Sequence, residues 1–148
     1  METKPTHITT GQIGEQTAAK LMEKKGYQIL HRNWRMGHLE MDIIAANKKE
    51  IAFVEVKTRT STLAGAPEEA VDILKRKRII AAANAYIKYY KEERTPRFDI
   101  IGILLNKNGE IEQINHLENA FHPTVKTINK NSFSGSWRWH HRRKTIHY

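Results

Sequence analysis

The order of periodic segments in this 148-residue chain, αβββαββ, predicts an α/β layer fold. Three observations carry that reading. Two stretches repeat apolar residues at helical spacing. Five others are short, rich in Ile, Val and Phe, and bounded by turn residues. One of the five, RFDIIGILL from Arg97 to Leu105, is apolar almost throughout, as a strand covered on both faces must be.

Thr9 and Gln12 have the spacing of a capping box, so the first helix starts there, runs to about Lys25 and stops at Gly26. Ile13, Thr17, Ala18, Leu21 and Met22 make one broad, mostly apolar face, with Glu15 just past its edge. YQILHRN reads as a short strand. LEMDIIAA and EIAFVEVKTR are two more, joined across NKK as a hairpin. Strand side chains alternate, so Phe53, Glu55, Lys57 and Arg59 share one face of the second, and Ala52, Val54 and Val56 the other. STLAGAPEEA is a loop. A long helix is expected from about Asp72 to Glu92, with Ile73, Ile80, Ala83, Ile87 and Tyr90 on its apolar stripe and the basic cluster Lys75, Arg76, Lys77 and Arg78 in its first turns. RFDIIGILL is then a central strand, and NKNG turns the chain into a last strand, EIEQINHL.

The length suits one α/β domain, residues 1–122, followed by a tail, 123–148, without periodicity and expected to be poorly ordered. The net charge of +9 is concentrated in that tail. Lys126, Lys130, Arg138, Arg142, Arg143 and Lys144 have no acid among them, and without these six the chain has 19 bases against 16 acids. Such a tail favours a polyanion, with nucleic acid the usual candidate. Trp137 and Trp139 interleave with its bases and suit stacking on unpaired nucleotides; a solubilising end is the plainer alternative. No cysteine is present, which removes disulfides, thiol nucleophiles and thiolate metal sites. No apolar run approaches the ~20 residues of a membrane span, and the N-terminal METKPTHITTGQ lacks the apolar centre of a secretory signal. A cytoplasmic location fits.

The hairpin holds the most pointed chemistry. A turn that pairs Asn47 with Glu50 also pairs Asp42 with Glu55, within reach of each other. Two adjacent carboxylates repel unless something positive lies between them. A divalent cation answers that need, and oxygen ligands suit Mg²⁺ or Mn²⁺. Lys57 lies two residues along the same face, where an ammonium can offset charge developing on a phosphate. Spacing alone fits a cross-strand salt bridge on a solvated face equally well.

The blocks GQIGEQTAAKLMEKKGYQILHRNWR, LEMDIIA, FVEVKTR, GAPEEAV and RFDIIGI, in this order over residues 11–122, resemble the YraN-like family of small bacterial proteins. That family is similar to the archaeal Holliday-junction resolvases, within the restriction-endonuclease-like superfamily. The resemblance implies a central mixed β-sheet flanked by helices, with the site at the sheet's open end. It implies that Asp42, Glu55 and Lys57 are catalytic and that Glu15, on the first helix, joins Asp42 and Glu55 as a metal ligand. Where the family has Gly-Glu-Ile-Asp this chain has Leu39-Glu40-Met41-Asp42 after His38, so both acids are kept. The expected function is a Mg²⁺- or Mn²⁺-dependent nuclease acting on duplex or branched DNA, a homodimer by analogy with the resolvases. Arg59, Lys75, Lys77, Arg138, Arg142 and Arg143 are the candidate DNA contacts. A noncatalytic DNA-binding module and an assembly subunit are the alternatives. Arg97 and Asp99 read as a structural ion pair.

Overall fold

The αβββαββ order is the observed one: α1 (Thr10–Lys24), β1 (Gln28–Met36), β2 (Leu39–Ala46), β3 (Glu50–Arg59), α2 (Ile73–Tyr90), β4 (Thr95–Leu105) and β5 (Ile111–Leu117). A computed structural model describes residues 8–60, 66, 67 and 71–123; the tail from 124 onward, with Arg138, Arg142 and Arg143, and most of the loop before α2 lie outside the described residues. The strands form one mixed sheet in the order β1-β2-β3-β4-β5. β1 and β2, β2 and β3, and β4 and β5 pair antiparallel. β3 and β4 pair parallel, which obliges the chain to cross between them, and α2 is the crossover.

Local chemistry sets the ends of these elements. Thr9 and Gln12 form the expected reciprocal capping box, satisfying two otherwise orphaned N–H groups. Gly26 closes α1 at φ +93°, a conformation that costs glycine little. Asn47 Oδ1 accepts from the backbone N–H of Lys49 (2.9 Å) and of Glu50 (2.8 Å), which folds the β2–β3 turn where the sequence places the hairpin. Asp72 caps α2, its Oδ1 accepting from Lys75 N at 2.9 Å.

Two apolar clusters fill the faces of the sheet. On one, Ala18, Ala19 and Met22 of α1 pack against Ile43, Ala45, Ala52, Val54, Ile101 and Ile103. On the other, Ile79, Ile80, Ala82, Ala83 and Tyr86 of α2 pack against Ile44, Ile51, Phe53, Phe98 and Trp34. Two details differ from the sequence expectation. β1 is longer than YQILHRN. The apolar stripe of α2 is rotated: Tyr86 is at its centre, touching Trp34, Phe53 and His31 edge-on, while Ile73 and Tyr90 are 55% and 46% exposed. The helix carries apolar residues on more than one face, and the aromatic socket of the sheet selects among them.

Arg97 and Asp99 are structural, as read. Arg97 forks onto the fully buried Asp99 (Nε to Oδ1 2.8 Å, Nη2 to Oδ2 2.8 Å) and donates to the Tyr27 hydroxyl at 2.6 Å and to Glu50 at 2.9 Å. Asn119 N donates to Asp99 Oδ1, and His116 Nε2 lies 2.8 Å from Oδ2. Burial pushes the Asp99 carboxyl up, but the hydrogen bonds from His116, Arg97 and Asn119 outweigh it and hold it below its ordinary range. The network ties β3, β4 and β5 to the chain leaving α1.

Candidate active site

The register of the β2–β3 hairpin runs Ala46↔Ile51, Ala45↔Ala52, Ile44↔Phe53 and Ile43↔Val54. Continued one step it sets Asp42 against Glu55, as the sequence predicts, but the backbone ladder ends before that step. Asp42 Oδ2 instead accepts the Val56 backbone N–H at 2.8 Å. The side chain thus lies in the sheet, taking a bond that a strand neighbour would otherwise make.

A break in β2 explains that posture. Ile43 and Ala45 belong to the α1 side of the sheet, yet Met41 packs with the α2 side. Regular alternation would put all three on one face. The flip falls at Asp42. Opposite it, between the pairs Arg32↔Ile43 and Trp34↔Met41, stands Asn33 with φ +50°, the left-handed region that asparagine tolerates. Beyond Ile43↔Val54 the sheet opens between β2 and β3, and Asp42 reaches across the opening to the Val56 N–H.

Helices reach the opening from both sides. From α1, Glu15 is held by the Asn33 amide, which donates to its Oε2 at 2.9 Å. Gly14, beside it, lies directly against Thr58 of β3; a methyl there would overlap the Thr58 hydroxyl. That close approach is what brings Glu15 within electrostatic reach of Asp42. From α2, Lys75 places its Nζ 3.2 Å from Glu55 Oε1.

Glu55 is only 6% exposed, one of two buried charged residues among those described. Burial first, and then the Asp42 charge, pushes its carboxyl from an ordinary 4.5 up to about 7, against the pull of Lys75. Asp42 is also raised, by burial first; the Val56 N–H and Lys75 oppose this and the Glu15 charge adds to it. Two side chains built to be anionic are thus crowded, half-desolvated and under-neutralised by one ammonium. Their donor set is carboxylate oxygen only, which suits a hard divalent cation, and Mg²⁺ needs no more than one or two protein carboxylates when it keeps its waters. The pair fits such an ion. No group of three or more acidic or histidine side chains gathers at metal-holding distance among the described residues, so Glu15 borders the pair rather than completing a triad.

The other expected residues fall as follows. Lys57 is half-buried on β3, two residues beyond Glu55. Arg59 ends the same strand with its Nε buried and without a hydrogen-bond partner among the described residues. Of the basic cluster on α2, Lys75 turns to Glu55 and Arg76 packs over the Phe121 ring and donates to Val71 O, while Lys77 and Arg78 are exposed. Glu40 makes only an exposed pair with Arg35, at 3.6 Å, among the described residues. Sequence reasoning missed Asn33 and Gly14 as positioning residues. The signal for Asn33 was an asparagine inside a strand, where that residue is depleted. The signal for Gly14 was a glycine inside a helix, where it costs about 1 kcal/mol against alanine.

Known proteins resemble this chain over most of its length. Residues 14–103 match the sequence profile described as uncharacterised protein family UPF0102. A UPF0102 protein of Bacteroides thetaiotaomicron is 48% identical over 119 residues, covering 80% of this chain and 97% of that one. One from Porphyromonas gingivalis is 44% identical over 115 residues (78% and 85%), and one from Caldanaerobacter subterraneus subsp. tengcongensis 46% over 115 residues (76% and 94%). The matched span holds Glu15, Asp42, Glu55, Lys57 and Lys75, so the whole opening lies inside it.

Proposed function

This chain belongs to the UPF0102 family, the YraN-like family its sequence resembles, and we propose that it is a Mg²⁺- or Mn²⁺-dependent nuclease that cleaves phosphodiester bonds in duplex or branched DNA. The observation that carries the reading is the Asp42–Glu55 pair in the opening of the sheet, Glu55 buried and Asp42 half-buried, both carboxyls pushed up and facing one ammonium. A pair of that kind is costly to keep for structure alone, because apolar residues would fill the same space at less cost in solvation.

A divalent ion held there would supply charge neutralisation and Lewis-acid polarisation of a phosphoryl oxygen. The chain's own groups do the rest. Glu55 and Asp42 would hold the ion, with one Asp42 oxygen already fixed by the Val56 N–H. Lys57 offsets charge developing on the phosphate. Arg59, Lys75 and Lys77 lie on the two elements that border the opening and supply backbone contacts, joined by Arg138, Arg142 and Arg143 of the tail. Such a substrate suits a protein of the bacterial cytoplasm, and cutting both strands would take a second copy of the chain. No helix among the described residues is long and apolar enough to cross a membrane.

The test is a cleavage panel of duplex, single-stranded, flap and four-way DNA with Mg²⁺ or Mn²⁺. Cleavage that needs the metal and vanishes in Asp42→Asn and Glu55→Gln, while DNA affinity stays, is expected. Binding of branched DNA without any cleavage would transfer the reading to a noncatalytic DNA-binding module.

A further inference from the structure

The sequence puts Lys75 on the surface of α2, gripping a DNA backbone; among the described residues it is instead the one cation in contact with Glu55, at 3.2 Å. We propose that Lys75 is an internal counter-ion, displaced from Glu55 when a divalent cation enters, and that the freed ammonium then meets the substrate phosphate. The inference rests on the metal-dependent reading above and goes beyond it by coupling metal entry to substrate grip.

Three observations and one consequence of charge combine. Glu55 is buried, so in the metal-free protein its charge needs a partner, and no other cation touches it among the described residues. Asp42 already has one oxygen on the Val56 N–H and makes no ion pair of its own among the described residues, so the site carries two carboxylates against one ammonium. The backbone of Lys75 is fixed by the Asp72 cap, yet its side chain is 34% exposed. Its four-carbon stem can therefore swing into solvent without disturbing α2. Finally, a divalent ion held by Asp42 and Glu55 would share Glu55 with that ammonium, and like charges so placed repel strongly in a partly desolvated site. The ammonium leaves toward the open side of the site, where a phosphate bound to the metal would lie.

The probe is Mn²⁺ alone, titrated into the full-length protein at fixed pH and ionic strength and followed by calorimetry or the electron-spin signal of free Mn²⁺. Lys75→Met should tighten Mn²⁺ binding by roughly three- to tenfold, the scale of one partly exposed ion pair. Lys75→Arg keeps a competing cation and should stay within about twofold of wild type. Arg78→Met, an equal charge change one turn away, controls for net charge and should also stay within about twofold. A second readout is the salt dependence of DNA affinity in Ca²⁺, where Lys75→Met should lower the slope by about 0.9, one duplex phosphate contact. Unchanged or weaker Mn²⁺ binding by Lys75→Met would overturn the proposal and make Lys75 a positioner of Glu55. So would equal tightening in Arg78→Met. If wild type and Lys75→Met both fail to bind Mn²⁺, the metal-dependent reading itself falls; if both bind equally and Asp42→Asn does not, that reading stands and only the displacement is refuted.

Discussion

Replacing Asp42 by asparagine should make the metal-free protein more stable at alkaline pH. An asparagine side chain keeps an oxygen for the Val56 N–H and removes the Asp42 charge that helps push the Glu55 carboxyl up. Glu55 binds its proton more tightly in the folded chain than in the unfolded one, so the stability it contributes is complete below pH 4.5 and is lost as the pH rises through about 7. At 1.36 kcal/mol per pH unit, that shift amounts to about 3 kcal/mol. Burial is its largest cause and the Asp42 charge the second, so Asp42 accounts for the smaller part of it. The substitution Asp42→Asn is thus expected to raise stability by about 1 kcal/mol at pH 8 and to change it less at pH 5. Asp99, held low, titrates below this window and does not confuse it. Urea unfolding at half-unit steps from pH 5 to 8 reads the effect as a midpoint shift at constant slope. A variant destabilised equally at both ends would show that the Val56 bond needs the carboxylate charge and that the pair is not a strained anionic site.

Three further outcomes follow from the same geometry. Gly14→Ala forces α1 away from Thr58, so it should cost about 1–3 kcal/mol despite alanine's higher helix propensity and should also weaken metal-dependent cleavage through Glu15; thermal unfolding and the cleavage assay together check this, and a stabilised, fully active variant would contradict it. Asp99→Asn leaves the Arg97 guanidinium without its forked carboxylate and should cost about 3 kcal/mol or more in urea unfolding; a loss under about 1 kcal/mol would reduce the network to ornament. Lys57→Ala should slow cleavage by about 10²-fold with DNA affinity nearly unchanged, read in single-turnover assays, and an equal loss in affinity and rate would make Lys57 a ground-state contact.

How much of this was legible in the sequence differs by element. The bounds of β2 and β3 and the register that runs from Ala46↔Ile51 to Ile43↔Val54 were readable, because period-two alternation and the Asn47 turn fix a hairpin register locally. The in-plane posture of Asp42 was not. It depends on a positive φ at Asn33 on the neighbouring strand and on where the ladder stops, and neither leaves a periodic trace. The phase of α2 was lost because Ile73, Leu74, Ile79 and Ile80 point several ways, and only the socket formed by Trp34 and Phe53 decides that Tyr86 turns inward. The same phase decides which of four consecutive bases meets Glu55, so the role of Lys75 was out of reach. The resemblance draws attention to Glu15 as a ligand; that it borders the pair, with Asn33 as its partner and the close contact at Gly14 behind it, had to be seen.

Whether Asp42 and Glu55 form one metal-holding pair is read by anomalous diffraction from crystals of the full chain grown with Mn²⁺. The expected result is a peak between the two residues, with carboxylate oxygens at about 2.0–2.2 Å and waters filling the remaining positions. Lys75 Nζ should have left Glu55 in the same map. A Mn²⁺ peak elsewhere, or none at saturating Mn²⁺ with Lys75 still on Glu55, would contradict that pairing.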